Sequence, residues 1–159
     1  MNFKSIIDQQ ILLDKAIKEA HKINQDYSNQ MIIALYTEVG EFANEIQSFK
    51  YWKKSKNIDQ NNLLEEFADG LHFLISFAIK TNCNYIIEPL VLSNDINYQL
   101  LEMFKSIYKL SKKISRRNVT KCIAIYIGIA KILNIEDDLI IESYMLKTKK
   151  NFERIKNNY

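Results

Sequence analysis

Apolar residues Phe3, Ile6, Ile7, Ile11, Leu13 and Ile17 recur at steps of three and four. That period predicts a first helix over about residues 4–23. The polar run Asn24 to Asn29 breaks it. A long second helix follows on the spine Met31, Leu35, Val39, Phe42, Ile46 and Phe49, and the Lys-rich stretch KYWKKSKNIDQNN reads as a loop. Leu63, Phe67, Leu71, Leu74 and Phe77 carry a third helix over about residues 62–81, before a connector around Pro89. Three weaker helical stretches complete the chain, over roughly 95–115, 118–133 and 136–157. The last opens on Asn134 as a cap, with Glu136, Asp137 and Asp138 in its first turn, where acids complement the helix dipole. The expectation is an all-α fold of six helices and no strands: a four-helix-bundle-like core with additional helices, in one domain over residues 1–159.

Composition sharpens that picture. Three Gly and one Pro in 159 residues leave little with which to build hairpins, sandwiches or barrels. Cys83 and Cys122 stand far apart without paired spacing, which suggests neither a zinc site nor a disulfide framework and fits a cytoplasmic location. Asp8 and Asp14 interrupt the first apolar pattern, so neither a signal sequence nor a membrane span is expected there. A net charge of +3 does not argue for nucleic acid or membrane as a partner. The basic cluster Lys112, Lys113, Arg116, Arg117 and Lys121 reads as a solvated connector.

The chemistry lies in the acids. Glu38, Glu41 and Glu45 follow three- and four-residue spacing on the second helix and so share a stripe. Met31, Ala34, Leu35 and Phe42 flank them at 100° per residue, a setting that belongs to a core rather than to a wetted face. Glu66 and Asp69 repeat the arrangement on the third helix with Leu63, Gly70 and Phe73, while Glu65 points about a quarter turn away. Gathering carboxylates indoors costs several kcal/mol per ion, and neither stripe supplies a Lys or Arg. Divalent cations would offset the charge. An oxygen-only donor set without His or Cys selects Mg2+, with Mn2+ as a substitute, and such ions hold phosphates. Gly40 sits between Glu38 and Glu41, and Gly70 follows Asp69; each costs its helix about 1 kcal/mol relative to Ala, so either close helix approach or room for a ligand must compensate. The competing reading is ordinary surface acids, and two pairs on apolar stripes weigh against it.

The pattern Glu38-x-x-Glu41 with Glu66-x-x-Asp69 resembles the all-α nucleoside triphosphate pyrophosphohydrolases, which include MazG-like enzymes and dimeric dUTPases. The fuller segments EVGEFANEIQSFKYWK and LLEEFADGLHFLIS, with Lys50, Trp52, Lys53, His72 and Phe73, are similar to the dimeric dUTPase family, as are QQILLDKAI and YMLKTKKNFERIKNNY. Thr37 departs from the pattern where many MazG-like proteins carry Glu, and Asn158 where Gly is common; residues 83–117 carry no family motif.

The resemblance implies conversion of dUTP, with dUDP as a second substrate, to dUMP with release of pyrophosphate or phosphate, in a homodimer. It implies Mg2+ held by Glu38, Glu41, Glu66 and Asp69, with Glu38 and Glu41 catalytic and Glu41 orienting the attacking water. Lys147, Asn151 and Arg154 recur at i, i+4 and i+7 and present two cations and an amide to the phosphates. Lys53 is either a further phosphate ligand or a solvated loop lysine. Gln10 and Asp14 face the uracil or sugar, or else are polar surface, and Tyr159 is a substrate-binding candidate. Trp52 either walls the pocket or anchors its loop in the core, with anchoring favoured, and His72 reads as supporting rather than catalytic. Two alternatives stand: a MazG-like or dCTP-type pyrophosphohydrolase, and a non-catalytic helical binding module.

Overall fold

The third apolar stripe becomes the axis of the molecule. The structure, a computed structural model, describes residues 1–157 and holds six helices in them: α1 (Lys4–Ala20), α2 (Ser28–Ile46), α3 (Gln60–Lys80), α4 (Ile96–Lys112), α5 (Arg116–Ile132) and α6 (Asp137–Lys156). Helix α3 packs on α1, α2, α5 and α6, while α4 pairs with α5 and touches α2. Its burial follows from composition, since Leu63, Leu64, Phe67, Leu71, Leu74, Ile75 and Phe77 leave it apolar on more than one side. The core runs through Phe42, Phe67 and Tyr126, whose rings pack edge-on and stacked. The all-α expectation holds, and among the described residues the one β feature is an isolated bridge between Asn2 and Ile86.

Local chemistry sets the ends. Asp59, Asp95 and Ser115 cap α3, α4 and α5 by accepting backbone N–H bonds from the first turn. Four details depart from the sequence reading. Helix α1 stops at Ala20, short of residue 23, and Ile11 on its expected buried stripe is exposed. Gln47 takes a left-handed conformation (φ 59°) and ends α2, so Phe49 falls outside the spine and lies exposed. Trp52 does not anchor its loop: it is 61% exposed, edge-on to Phe49 and Tyr51. Asn134 does not cap α6 either. At φ 56° it closes the end of α5, and Glu136 occupies the cap position of α6 with Asp137 and Asp138 following.

The glycines divide between the two explanations. A Cβ on Gly70 would meet the Tyr126 hydroxyl oxygen at 2.4 Å, so this glycine admits the ring that donates a hydrogen bond to the Phe67 carbonyl. A Cβ on Gly40 would meet nothing within 4 Å. No single helix is long and apolar enough to cross a membrane among the described residues.

Candidate active site

Packing of α2 on α3 brings the two acid stripes face to face. Glu38, Glu66 and Asp69 each offer a carboxylate oxygen, and these atoms lie within 4.8 Å of one another. All three are partly buried, and Glu66 Oε2 is buried with no hydrogen-bond partner. Burial pushes Glu38 up to about 7, with Asp69 and Glu41 adding to it. The same causes, burial first and then Asp69, Glu41 and Glu38, push Glu66 up to about 7. Asp69 is also raised by burial, against the hydrogen bond it receives from Lys147. Glu41 lies at the exposed margin, close enough to raise both Glu38 and Glu66 but outside the trio.

A cation does reach this cluster from within the chain, which the two stripes alone could not show. Lys147 of α6 is buried and places Nζ 2.5 Å from Asp69 Oδ2 and 2.9 Å from Glu65 Oε1. Burial works against its charge, yet the bonds to Asp69 and Glu65 hold it above the ordinary lysine range. Lys150 stands 2.7 Å from the other oxygen of Glu65. Lys150 and Lys147 together depress Glu65 to about 2. Glu65, a quarter turn from the trio, therefore belongs to the basic helix rather than to the acid cluster. That pairing leaves Glu38 and Glu66 outside the ion pairs found among the described residues, and an orphaned carboxylate oxygen beside two others is a donor set that a hard divalent ion fits.

Beside the acids opens a cleft of about 420 Å³, within the range of small-molecule sites. Glu38, Asp69, Asn151 and Arg154 line it together with Gln10, Asp14 and Ser76, and Leu13, Ile17, Met31 and Phe73 give it apolar walls. Asp69 and Ser76 are seven residues apart on α3, so the acid end and the Asp14–Ser76 end are separated by roughly 10 Å. The first helix enters here for a sequence reason: Gln10 sits between Ile6 and Leu13 on the buried stripe, so its amide must be satisfied inside.

Every hydrogen-bonding position of that amide is used. Gln10 Nε2 donates to Asp14 Oδ1 (2.7 Å) and Ser76 Oγ (3.0 Å), and Oε1 accepts from the Tyr144 hydroxyl and from His72 Nδ1 (2.7 Å). Ser76 Oγ in turn donates to Asp14 Oδ1 at 2.9 Å. Because Oε1 can only accept, Nδ1 carries the His72 proton. Burial and the nearby Lys147 charge hold His72 down to about 3, so it is neutral. It stacks on Tyr144, in keeping with a supporting role. Asp14 is raised by burial against the bonds from Gln10 and Ser76.

A model of the dUTPase family matches residues 2–159. The chain belongs to that family. The enzyme is a dUTP diphosphatase, a hydrolase of nucleotide metabolism. No curated protein matches it significantly. The family assignment selects dUTP over the MazG-like and dCTP-type alternatives, and catalysis over a passive binding module.

The remaining candidates fall outside this constellation. Lys53 donates to Gln47 Oε1 and lines a separate shallow cleft with Lys54, Ser55 and Asn57. Gln47 is nine residues beyond Glu38, roughly 13 Å along α2. Glu45 is half-buried on α2. Tyr159 lies outside the described residues, as does Asn158. Thr37 is exposed and bonded to the Ile33 carbonyl. Sequence reasoning missed Ser76 and Glu65. Ser76 left a signal, since Asp69, His72 and Ser76 are polar positions at i, i+3 and i+7 along an otherwise apolar helix.

Proposed function

We propose that the enzyme hydrolyses dUTP, and dUDP as a second substrate, to dUMP, releasing pyrophosphate or phosphate with the help of Mg2+ or Mn2+. The convergence of Glu38, Glu66 and Asp69 beside a nucleotide-sized cleft carries the proposal. Those residues, with Glu41 at the open margin, are the candidates to hold the metal. When bound, it would neutralise charge on the phosphate oxygens and favour an ionised water.

In this reading Glu41 orients the attacking water and accepts its proton, a task that suits an accessible carboxylate beside three partly buried ones. Arg154 and Asn151 bind phosphate oxygens from α6, and Lys147 joins them. Asp14, whose Oδ1 is fixed by Gln10 and Ser76, keeps Oδ2 for an O–H or N–H of the nucleoside, and Phe73 supplies an apolar wall. Gln10 acts by holding Asp14 and His72 in place, because its own amide is saturated.

One domain over residues 1–159 is supported by the packing of α6 on both α1 and α3. Two free cysteines suit a cytoplasmic setting. A homodimer is supported by the apolar groove between α2 and α4, lined by Gly40, Ala43, Leu101 and Phe104 and edged by exposed Phe49 and Tyr51. The open backbone at Gly40 suits close approach by a second copy.

A substrate panel tests the proposal. With Mg2+, dUTP turnover should exceed that of dCTP, dTTP and UTP by about tenfold or more in kcat/KM, and chelation should abolish it. Glu41→Gln should cost about a hundredfold or more in kcat with the helical circular dichroism retained. Equal rates across the panel, or full activity in EDTA, would defeat it.

A further inference from the structure

The Lys147 ammonium sits where the acid cluster and α6 meet, buried, with two carboxylates as its ion-pair partners among the described residues. One of them, Asp69, is also part of the converging trio. The other, Glu65, is not, and it is held from its far side by Lys150. A divalent ion drawn into the trio would sit within a few ångströms of this ammonium, and like charges in a half-buried site repel strongly. A largely buried ammonium that loses one acceptor is best served by another already in place, because little of it meets solvent.

We infer that Lys147 is the counter-ion of the acid cluster before a metal arrives, and that Glu65 is a positioning residue that keeps Lys147 when the metal takes over Asp69. The inference rests on the metal-site reading of Glu38, Glu66 and Asp69 proposed above. It gives Glu65 a task that neither the acid stripe nor the cleft supplies. Withdrawal toward Glu65 needs no new acceptor, since Oε1 is already 2.9 Å from Nζ. Lys147 then stands clear of the ion while Glu65 still holds it.

Mn2+ binding to the nucleotide-free protein, followed by calorimetry above pH 8, tests this with four proteins: wild type, Lys147→Met, Glu65→Gln and the double variant. Lys147→Met should bind about tenfold tighter and Glu65→Gln about threefold weaker, as removal of a competitor and of its refuge require. In the Lys147→Met background, Glu65→Gln should change the affinity by less than about twofold, since Glu65 then has no lysine to hold. An equal loss in both backgrounds means that Glu65 acts through its own charge, and overturns the inference. Absence of Mn2+ binding in all four proteins defeats the metal site itself and the inference with it. Should Lys147→Met not fold, a crystal structure of the wild type with Mn2+ decides. Nζ bonded to Glu65 and released from Asp69 is the expected result, and Nζ still on Asp69 overturns it.

Discussion

Protons carried by the acid cluster should be expelled when a metal enters it, and their number can be worked from the structure. Burial and mutual repulsion hold both Glu38 and Glu66 near 7 without a metal. At pH 6 each carboxyl considered alone would be about nine-tenths protonated, and at pH 8 about one-tenth. The two interact, so they titrate as a pair, and between about one and two protons leave together at pH 6. Lys147 contributes none, because its raised affinity keeps it an ammonium throughout. Metal binding requires ionised carboxylates, so apparent affinity must fall as pH drops below 7. From pH 7 to pH 6 the loss is about fivefold if one proton is displaced and about thirtyfold if two are. Calorimetric titration with Mn2+ in buffers of different ionisation enthalpy reads the proton count directly. About one to two protons at pH 6, falling to a few tenths at pH 8, is the expected result. Release of fewer than about 0.3 protons at pH 6 would mean that the carboxylates are ordinary solvated acids, and the argument from convergence would be refuted.

The same cluster predicts a stability cost in metal-free protein: the native state holds protons that the unfolded chain has lost between pH 4.5 and about 7, so stability from this pair falls as pH rises through that window. The Glu38→Gln/Glu66→Gln variant in EDTA should therefore be about 2 kcal/mol more stable than wild type at pH 8, after discounting for partial exposure, with the gain gone near pH 4.5; thermal melts at both pH values check it. Gly70→Ala should destabilise by about 1–2 kcal/mol net in chemical denaturation, since overpacking against buried Tyr126 exceeds the helix-propensity gain. Gly40→Ala, with open space around the new methyl, should leave the monomer unchanged or more stable by up to about 1 kcal/mol. Leu101→Asp, at a 60% exposed position on the α4 face, should convert the proposed homodimer to monomer by light scattering without unfolding it; an intact dimer would place the interface elsewhere.

Period and punctuation made the helices legible, because a stripe such as Leu63, Phe67, Leu71 and Leu74 is both the signal for a helix and the surface it buries. Boundaries were less legible where backbone conformation overrode composition. Gln47 and Asn134 adopt left-handed φ values that end α2 and α5, and nothing in their neighbours' hydrophobicity announces it. Phe49 and Trp52 misled for a different reason. Large aromatic side chains suggest burial, yet the packing of this chain leaves the loop outside.

The acid site shows where one-helix reasoning ends. Spacing placed Glu38, Glu66 and Asp69 on apolar stripes, where unpaired charge calls for a cation. Which cation answers depends on what a third helix brings, and Lys147 lies about eighty residues beyond Asp69 along the chain, at a separation no periodicity can bridge. Its arrival leaves part of the acid cluster unneutralised. One ammonium shared between Asp69 and Glu65 leaves Glu38 and Glu66 raised and Glu66 Oε2 without a partner. Partial neutralisation suits the reversible metal centre proposed above: the empty cluster is tolerable enough to fold, and a divalent ion would still gain by entering it.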